Sequence, residues 1–290
     1  MDCDPCSIID LHIHSSASDG SFAPADIIDM ALRLKLGAIA ITDHDTLEGS
    51  RDALDAGIPS PLKFLTGVEI STAPPQEFII SGSLHILGYG FRLDDTNLNR
   101  ILKQLQSARK DRNPRILREL QQLGIPLSMS EVREEAADGQ VGRPHIAAAL
   151  MKKGFVSSID EAFVRYLGNG KPAYVDKYRV PYKDAIKAIR QAGGLAVLAH
   201  PGLIRELDAR SLPELVTALM AEGLQGIEVY YPQHSKAVTE QLARLAEASG
   251  LVPTGGSDFH GKINPEVRMG TGRGDLNIPM SIYEKILALL

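Results

Sequence analysis

Short apolar runs alternate along this chain with longer stretches whose apolar residues recur at helical spacing. The runs are Ile8–Ile13, Ala38–Thr42, Phe64–Ile70, Leu84–Phe91, Leu195–Ala199, Gly226–Tyr230 and Val252–Gly255. Helical patterns follow many of them, over Pro24–Leu36, Glu48–Ala56, Tyr182–Ala192, Leu212–Glu222 and Ser235–Ser249. Glycines stand where several of these helices should stop: Gly37, Gly57, Gly193, Gly223 and Gly250. A glycine just past the last turn accepts the left-handed backbone that ends a helix. Strand-then-helix alternation predicts βα units around a parallel sheet. Seven strands suit a distorted (β/α)7 barrel better than an open sheet.

The middle of the chain breaks this rhythm. From Leu98 to Leu167 the pattern is helical, with no strand-like run. Leu98–Leu123 reads as one long amphipathic helix, and Ser158 with Glu161 has capping-box spacing. This stretch also concentrates basic residues, among them Arg109, Arg112, Arg143 and Arg165. Most such residues are expected on solvated helix faces. The expected organisation is a barrel over 1–97, a helical insertion over 98–168 that covers the barrel mouth, and the rest of the barrel over 169–290.

Composition narrows the picture a little. Among 290 residues, 31 Lys plus Arg stand against 36 Asp plus Glu, a formal charge of −5. That excludes a strongly basic nucleic-acid coat protein. No apolar run reaches the ~18 residues needed to span a bilayer. The first residues lack the basic start and apolar stretch of a signal peptide, so a cytoplasmic location is expected. Cys3 and Cys6 are the only cysteines. No second Cys or His pair follows at zinc-finger spacing, so they read as incidental thiols of a frayed terminus.

Histidines and carboxylates cluster at the ends of the strand candidates, where a βα barrel keeps its chemistry. In Asp10-Leu-His-Ile-His14, side chains two apart share a strand face. His12 and His14 should point one way with Asp10, while Ile9, Leu11 and Ile13 face the helices. Two imidazoles so placed can grip a metal ion; the plain alternative is a pair of satisfied core histidines. Asp19 follows on a short loop. Ile41-Thr-Asp-His-Asp45 ends a strand in an acid–imidazole–acid cluster, with His44 as the ligand candidate and Asp43 or Asp45 able to orient an imidazole. Glu69 sits in an apolar strand and needs a cationic partner. His85, His200 in Ala-His-Pro-Gly202, and Asp258 with His260 in Gly-Ser-Asp-Phe-His260 complete six strand ends.

These motifs resemble the PHP (polymerase and histidinol phosphatase) superfamily. The resemblance implies a distorted (β/α)7 barrel with two or three divalent metals, of which manganese is favoured over iron or zinc. It implies one metal on His12, His14, Glu69 and Asp258. A second would sit on Glu69, His85 and His200, and a third on Asp19, His44 and His260. Glu69, His200 and Asp258 would stand nearest the chemistry. The helical insertion and the run Gly226–Pro232 resemble the branch of nucleoside 3′,5′-bisphosphate phosphatases and 5′-to-3′ oligoribonucleases. The activity so implied is hydrolysis of a nucleotide phosphate ester by hydroxide bridging the metals.

The other end of such a substrate needs cations and a stacking surface. Arg143 is the first choice for phosphate, because a guanidinium binds it bidentately, and Lys177 is the second. His145 and His234 are left over from the metal count and could contact phosphate or protonate a leaving oxygen. Tyr178 or Tyr230 could stack on a base. The expected partner is a phosphorylated nucleotide or short oligonucleotide, with neither membrane nor stable duplex. The rivals are a histidinol phosphatase, an amidohydrolase and a non-catalytic metal-binding PHP module.

Overall fold

The computed structural model describes residues 8–80, 84–136, 141–204 and 211–290. Cys3 and Cys6 lie outside the described residues. The first βα units are β1 (Ile9–Ile13), α1 (Pro24–Arg33), β2 (Ala38–Ile41), α2 (Glu48–Ala56), β3 (Lys63–Ala73) and β4 (Leu84–Tyr89). A helical stretch follows: α3 (Thr96–Gln122), α4 (Met129–Glu135), α5 (Arg143–Lys152) and the short α6 (Ile159–Ala162). The alternation then resumes with β5 (Val180–Pro181), α7 (Tyr182–Gln191), β6 (Leu195–Leu198), α8 (Ser211–Ala221), β7 (Gly226–Tyr230), α9 (Lys236–Ser249), β8 (Val252–Gly255) and α10 (Met280–Leu287). The apolar pattern gives no expectation for β5 or α10. No helix among the described residues is long and apolar enough to cross a membrane.

Seven strands run in the order β1-β2-β3-β4-β6-β7-β8, and β5 adds to β3. The ring nearly closes where the segment after β8 meets β1. Asp258 N–H donates to His12 O at 2.8 Å, and His14 N–H donates to Phe259 O at 2.9 Å. A Cβ on Gly256 would lie 2.2 Å from the His12 backbone nitrogen, so this seam requires glycine.

Two expectations need correction. The sheet is not all parallel: β4 runs antiparallel to both β3 and β6. The link from β3 to β4 is too short for the dozen or more residues of a parallel crossover. His85, the second residue of β4, therefore reaches the mouth from the start of its strand. The alternation on β1 also slips. Asp10 pairs with Ile39 while Ile13 pairs with Ile41, so one extra residue sits on β1. Such a bulge flips the facing of the residues beyond it. Ile9 and Leu11 pack with Ala40, Leu87, Tyr89 and Val197 inside the barrel, whereas Ile13 packs with Ile27, Ile28 and Ile41 against the helices.

The barrel interior thus has two layers. Ile9, Leu11, Ala38, Ala40, Leu65, Leu87, Tyr89, Leu195 and Val197 fill the lower one, with Ile282 and Ile286 of α10 packed against them. Polar side chains fill the upper one. Helix ends follow the glycine pattern at Gly57, Gly193, Gly223 and Gly250, all at positive φ; after α1, Lys35 takes the left-handed position instead of Gly37. The helices after β4 carry a core of their own, built from Ile116, Leu120, Val132, Ile146, Leu150, Leu167 and Val175 among others.

Candidate metal centre

Each strand end delivers a donor for a local reason. The β1 bulge turns both His12 and His14 to the mouth. The loop carrying Asp19 is pinned by Asp43, which accepts from Ser15 N at 2.7 Å, Ser15 Oγ at 2.6 Å and Ser18 Oγ at 2.5 Å. Asp43 therefore holds a loop. Asp45 accepts from Ser71 N at 2.8 Å and from Arg109 Nη2 at 2.5 Å. Asp10 ties β1 to the seam by accepting from Ser257 N at 2.8 Å and Gly270 N at 2.7 Å. Among the described residues four non-glycine residues have positive φ, and three of them, Asp45, His200 and Asp258, stand at this mouth. Backbone strain of that kind persists where surrounding contacts over-determine it.

Glu69 is the hub. Its Oε2 lies 3.3 Å from His12 Nε2, 3.2 Å from His14 Nε2 and 3.1 Å from His44 Nδ1. Its Oε1 lies 2.6 Å from His85 Nδ1 and 2.8 Å from His200 Nε2. Asp258 Oδ1 completes the first side, 3.0 Å from His14 Nε2 and 3.4 Å from His12 Nε2. Asp19 gathers a third set: Oδ1 is 3.4 Å from His260 Nε2 and 3.6 Å from His14 Nδ1, and Oδ2 is 3.9 Å from His44 Nε2. The structure thus brings His12, His14, Asp19, His44, Glu69, His85, His200, Asp258 and His260 into one knot.

The donor set fits divalent cations. Ring nitrogens face each other, His12 Nε2 to His14 Nε2 at 3.2 Å and His85 Nδ1 to His200 Nε2 at 3.4 Å. Two neutral imidazole lone pairs so aimed repel unless a proton or a cation stands between them. Ligands about 2.1 Å from a common ion lie about 3.0–3.4 Å apart, as these do. Burial disfavours charge throughout, and pairing decides where it survives. Burial pulls His14 down, but hydrogen bonds and charge from Asp258 and Glu69 raise it to about 10. His12 ends well above its ordinary value against the same burial, through Glu228, Asp258 and Glu69. For His44 burial wins, and its pKa falls to about 3. Burial raises Glu69, Asp19 and Asp258, yet their imidazole neighbours hold all three well below the carboxylate range. The protons on His12 and His14 mark where the knot needs positive charge. Cation binding would release them.

Sequence reasoning missed two supporting groups. Glu228 on β7 is fully buried. Its Oε1 lies 2.9 Å from His12 Nδ1, and its Oε2 accepts from His200 N at 2.7 Å. A carboxylate on the far nitrogen fixes the tautomer and aim of a ligating imidazole. The signal was the same as for Glu69: a lone acid in an apolar strand. Tyr231 donates its hydroxyl to Asp258 Oδ2 at 2.8 Å.

The expected substrate contacts fare unevenly. Lys177 reaches inward, donating to Ser71 Oγ and lying 3.6 Å from Asp45 Oδ2. Arg143 donates to Leu167 O at 3.0 Å and lies over the Phe163 and Tyr174 rings. His145 is buried; Gly142 N–H donates to its Nδ1 at 3.0 Å, which leaves the proton of the neutral ring on Nε2. His234 is committed elsewhere, its Nδ1 3.0 Å from Val229 O and its Nε2 accepting from Gly202 N at 3.2 Å. A ring with both nitrogens so used has none left for a leaving oxygen. Tyr178 is half exposed and lines a groove along α3 with Arg51, Arg100 and Lys103. Tyr230 packs between the barrel cores.

A basic wall runs from Asp45, next to His44 of the knot, through Arg109 and Lys177 to Arg112 and Arg143. Arg112 is 6% exposed, and its Nε and Nη1 have no hydrogen-bond partner. Burial, then the charges of Arg143 and Arg109, pull it down to about 9. Lys177 falls to about 7, by burial and by Arg109, Arg112 and Arg143, against the attraction of Asp45. Like charges held this close call for an anion.

A family model described as the PHP domain matches residues 10–191. A 5′-3′ exoribonuclease of Haemophilus influenzae is 34% identical over 251 residues, covering 87% of this chain and 89% of that protein. A 3′,5′-nucleoside bisphosphate phosphatase of Chromobacterium violaceum is 33% identical over 253 residues, covering 87% of each. Among solved structures, a candidate metal-dependent phosphoesterase from Bifidobacterium adolescentis superposes with a TM-score of 0.87 at 28% identity, over 98% of this chain and 97% of that one.

Proposed function

The chain belongs to the PHP domain family, and from that premise we propose that it is a metal-dependent phosphoesterase acting on nucleotides. Its substrates are the 3′-phosphate of nucleoside 3′,5′-bisphosphates, short 5′-phosphorylated oligoribonucleotides, or both. The observation that carries this reading is the pairing of the Glu69 knot with a wall of cations that have too few acids of their own. His12, His14, Glu69 and Asp258 would hold one cation. Glu69, His85 and His200 would hold another, and Asp19, His44 and His260, with His14 alongside, a third. Manganese is the favoured ion. Bound there, divalent cations supply a nucleophile at neutral pH and neutralise the charge on phosphorus oxygens.

The protein's own groups do the rest. Glu228 and Tyr231 keep His12 and Asp258 aimed, so ligand geometry is set before substrate arrives. Arg112, Arg143 and Lys177 bind the phosphate that is not cut, which fixes the reacting one at the knot. Burial keeps His145 neutral, and Asp19 is among the charges acting on it. Its Nε2–H is then placed to donate to a leaving oxygen. The stretch 98–168 serves as the insertion that carries Arg112, Arg143 and His145 over the mouth.

An assay on manganese-loaded protein that follows both inorganic phosphate and released nucleoside monophosphate tests this. Adenosine 3′,5′-bisphosphate and a 5′-phosphorylated short RNA should be hydrolysed with kcat/KM at least about tenfold above histidinol phosphate, since one lost charged contact is worth that much. Preferred turnover of histidinol phosphate, or release from none of the three, would refute it.

A further inference from the structure

The residues at the end of β7 supply none of the knot's donors, yet they hold several of them. Glu228 backs His12, and Tyr231 donates to Asp258. His234, a little further on, bonds to the turn that carries His200.

His200 needs outside help to keep its aim. Its Nε2 faces Glu69 Oε1 at 2.8 Å, while its buried Nδ1 has no hydrogen-bond partner. His12, by contrast, has Glu228 on its far nitrogen. A ligating imidazole without such a bond lacks the usual device that fixes ring direction. His12 and Tyr231 flank the His200 ring, at centroid distances of 5.9 and 5.4 Å, but these face contacts carry no bond to Nδ1. The aim must come from the backbone. That backbone is strained, with a φ of 27° at His200. A non-glycine residue keeps such a value only where contacts impose it.

Two contacts from the end of β7 do so, one on each side of Pro201. Glu228 Oε2 accepts from His200 N at 2.7 Å. Pro201 has no N–H, so the next donor is Gly202 N, which bonds to His234 Nε2 at 3.2 Å. The imidazole is set up for this. Its Nδ1 lies 3.0 Å from Val229 O. A carbonyl only accepts, so Nδ1 carries the proton and Nε2 the lone pair. Burial pushes the pKa of His234 down, toward the neutral ring this bond needs. The fit is also close: a Cβ on Gly202 would lie 2.6 Å from His234 Cδ2 and 2.9 Å from Nε2, so the ring comes this near only because residue 202 is glycine.

We infer that His234 is a positioning residue: through Gly202 it holds the turn that aims His200 at the cation shared with Glu69 and His85. It acts on that ion only through His200. This rests on reading the knot as the metal centre of a phosphoesterase, and adds to that reading a control on one of its sites.

Manganese titration of the metal-free protein, followed by calorimetry, tests this without substrate. His234→Leu removes the acceptor and should weaken one site about tenfold, the low end of what ligand-orienting groups contribute, with the others within about twofold. His234→Gln keeps an acceptor near the place of Nε2 and should stay within about threefold of wild type. In a His200→Ala background, His234→Leu should cost nothing further, because effects that run through one residue do not add. Gly202→Ala is a second arm at an exposed position: its Cβ would displace the ring and should weaken the same site. Unchanged affinity in a folded His234→Leu protein would overturn the inference. So would an equal loss in the His200→Ala background, or a His234→Gln protein as weak as His234→Leu, which would make the role one of packing. Where His234→Leu does not fold, unchanged affinity in Gly202→Ala does the same. Wild-type protein that binds no manganese would overturn the metal reading as well, whereas metal binding without hydrolysis would refute the phosphoesterase reading alone.

Discussion

The floor of the mouth and the wall beside it are both crowded with charge, and they resolve the crowding in opposite ways. On the floor, acids and imidazoles alternate around Glu69, so each charge has opposite neighbours within about 3 Å. On the wall, Arg109, Arg112, Arg143 and Lys177 act on one another as like charges, with Asp45 as the buried acid among them. A floor of that kind is complete apart from its ions, and a wall of that kind is complete only when an anion arrives. On the proposed reading the difference separates two jobs, chemistry at the floor and capture at the wall, and substitutions in the two regions should part kcat from KM.

The largest effect should come from the floor. Glu69→Gln keeps the shape and removes the charge that five imidazoles share. Turnover should fall by about three orders of magnitude or more, and elemental analysis should find fewer metal ions per chain. Retention of both metal and wild-type turnover would end the distinction, because the hub would then be dispensable. A smaller effect is expected from the wall. Arg112→Gln should raise KM for a bisphosphate substrate by about tenfold to a hundredfold, the worth of a buried charged hydrogen bond, and leave kcat within about threefold. Added salt should weaken binding less in the variant than in the wild type. A loss confined to kcat would instead place Arg112 against the transition state and merge wall with floor.

The two regions were also unequally legible in sequence. Floor residues sit at strand ends, where an acid or imidazole within apolar alternation stands out, and the motif spacing is set by the barrel itself. What sequence did not disclose there was geometry: the β1 bulge that turns Leu11 inward, the reversed β4, and Glu228, whose signal was present but read only as part of a longer run. Arg109, Arg112 and Arg143 of the wall sit on helices, where a basic residue looks alike whether it is solvated or buried. Lys152, Lys153 and Arg165 are indeed surface partners of Glu135, Glu131 and Glu161. Arg109 and Arg112, a turn or two along the same kind of pattern, are buried. Only the packing of α3 against the barrel separates the two groups, and that packing has no local trace. His234 misled for the converse reason: an unassigned histidine invites a chemical role, while its ring serves to join Gly202 to Val229.

The smallest expected effect concerns the cost of keeping the wall ready. Lys177 has a folded pKa of about 7, below its ordinary value of 10.5, because burial and three guanidinium groups outweigh Asp45. Between those two values the unfolded chain binds more protons than the folded one. Stability contributed through this residue therefore rises with pH from about 7 to about 10.5, and the full penalty applies below 7. Lys177→Met should remove that penalty. Asp45 would keep Arg109 at 2.5 Å and the Ser71 amide at 2.8 Å, so no bare buried acid is left behind. The variant should melt higher than wild type at pH 6–7, each kcal/mol relieved raising Tm by about 2–4 °C, and the gap should narrow toward pH 10. The same variant should bind a bisphosphate substrate less tightly at pH 6, where wild-type Lys177 is charged, and nearly as tightly as wild type at pH 9. A variant that melts lower than wild type at pH 6 would show Lys177 to be a structural partner of Asp45 and would move it from the wall to the scaffold.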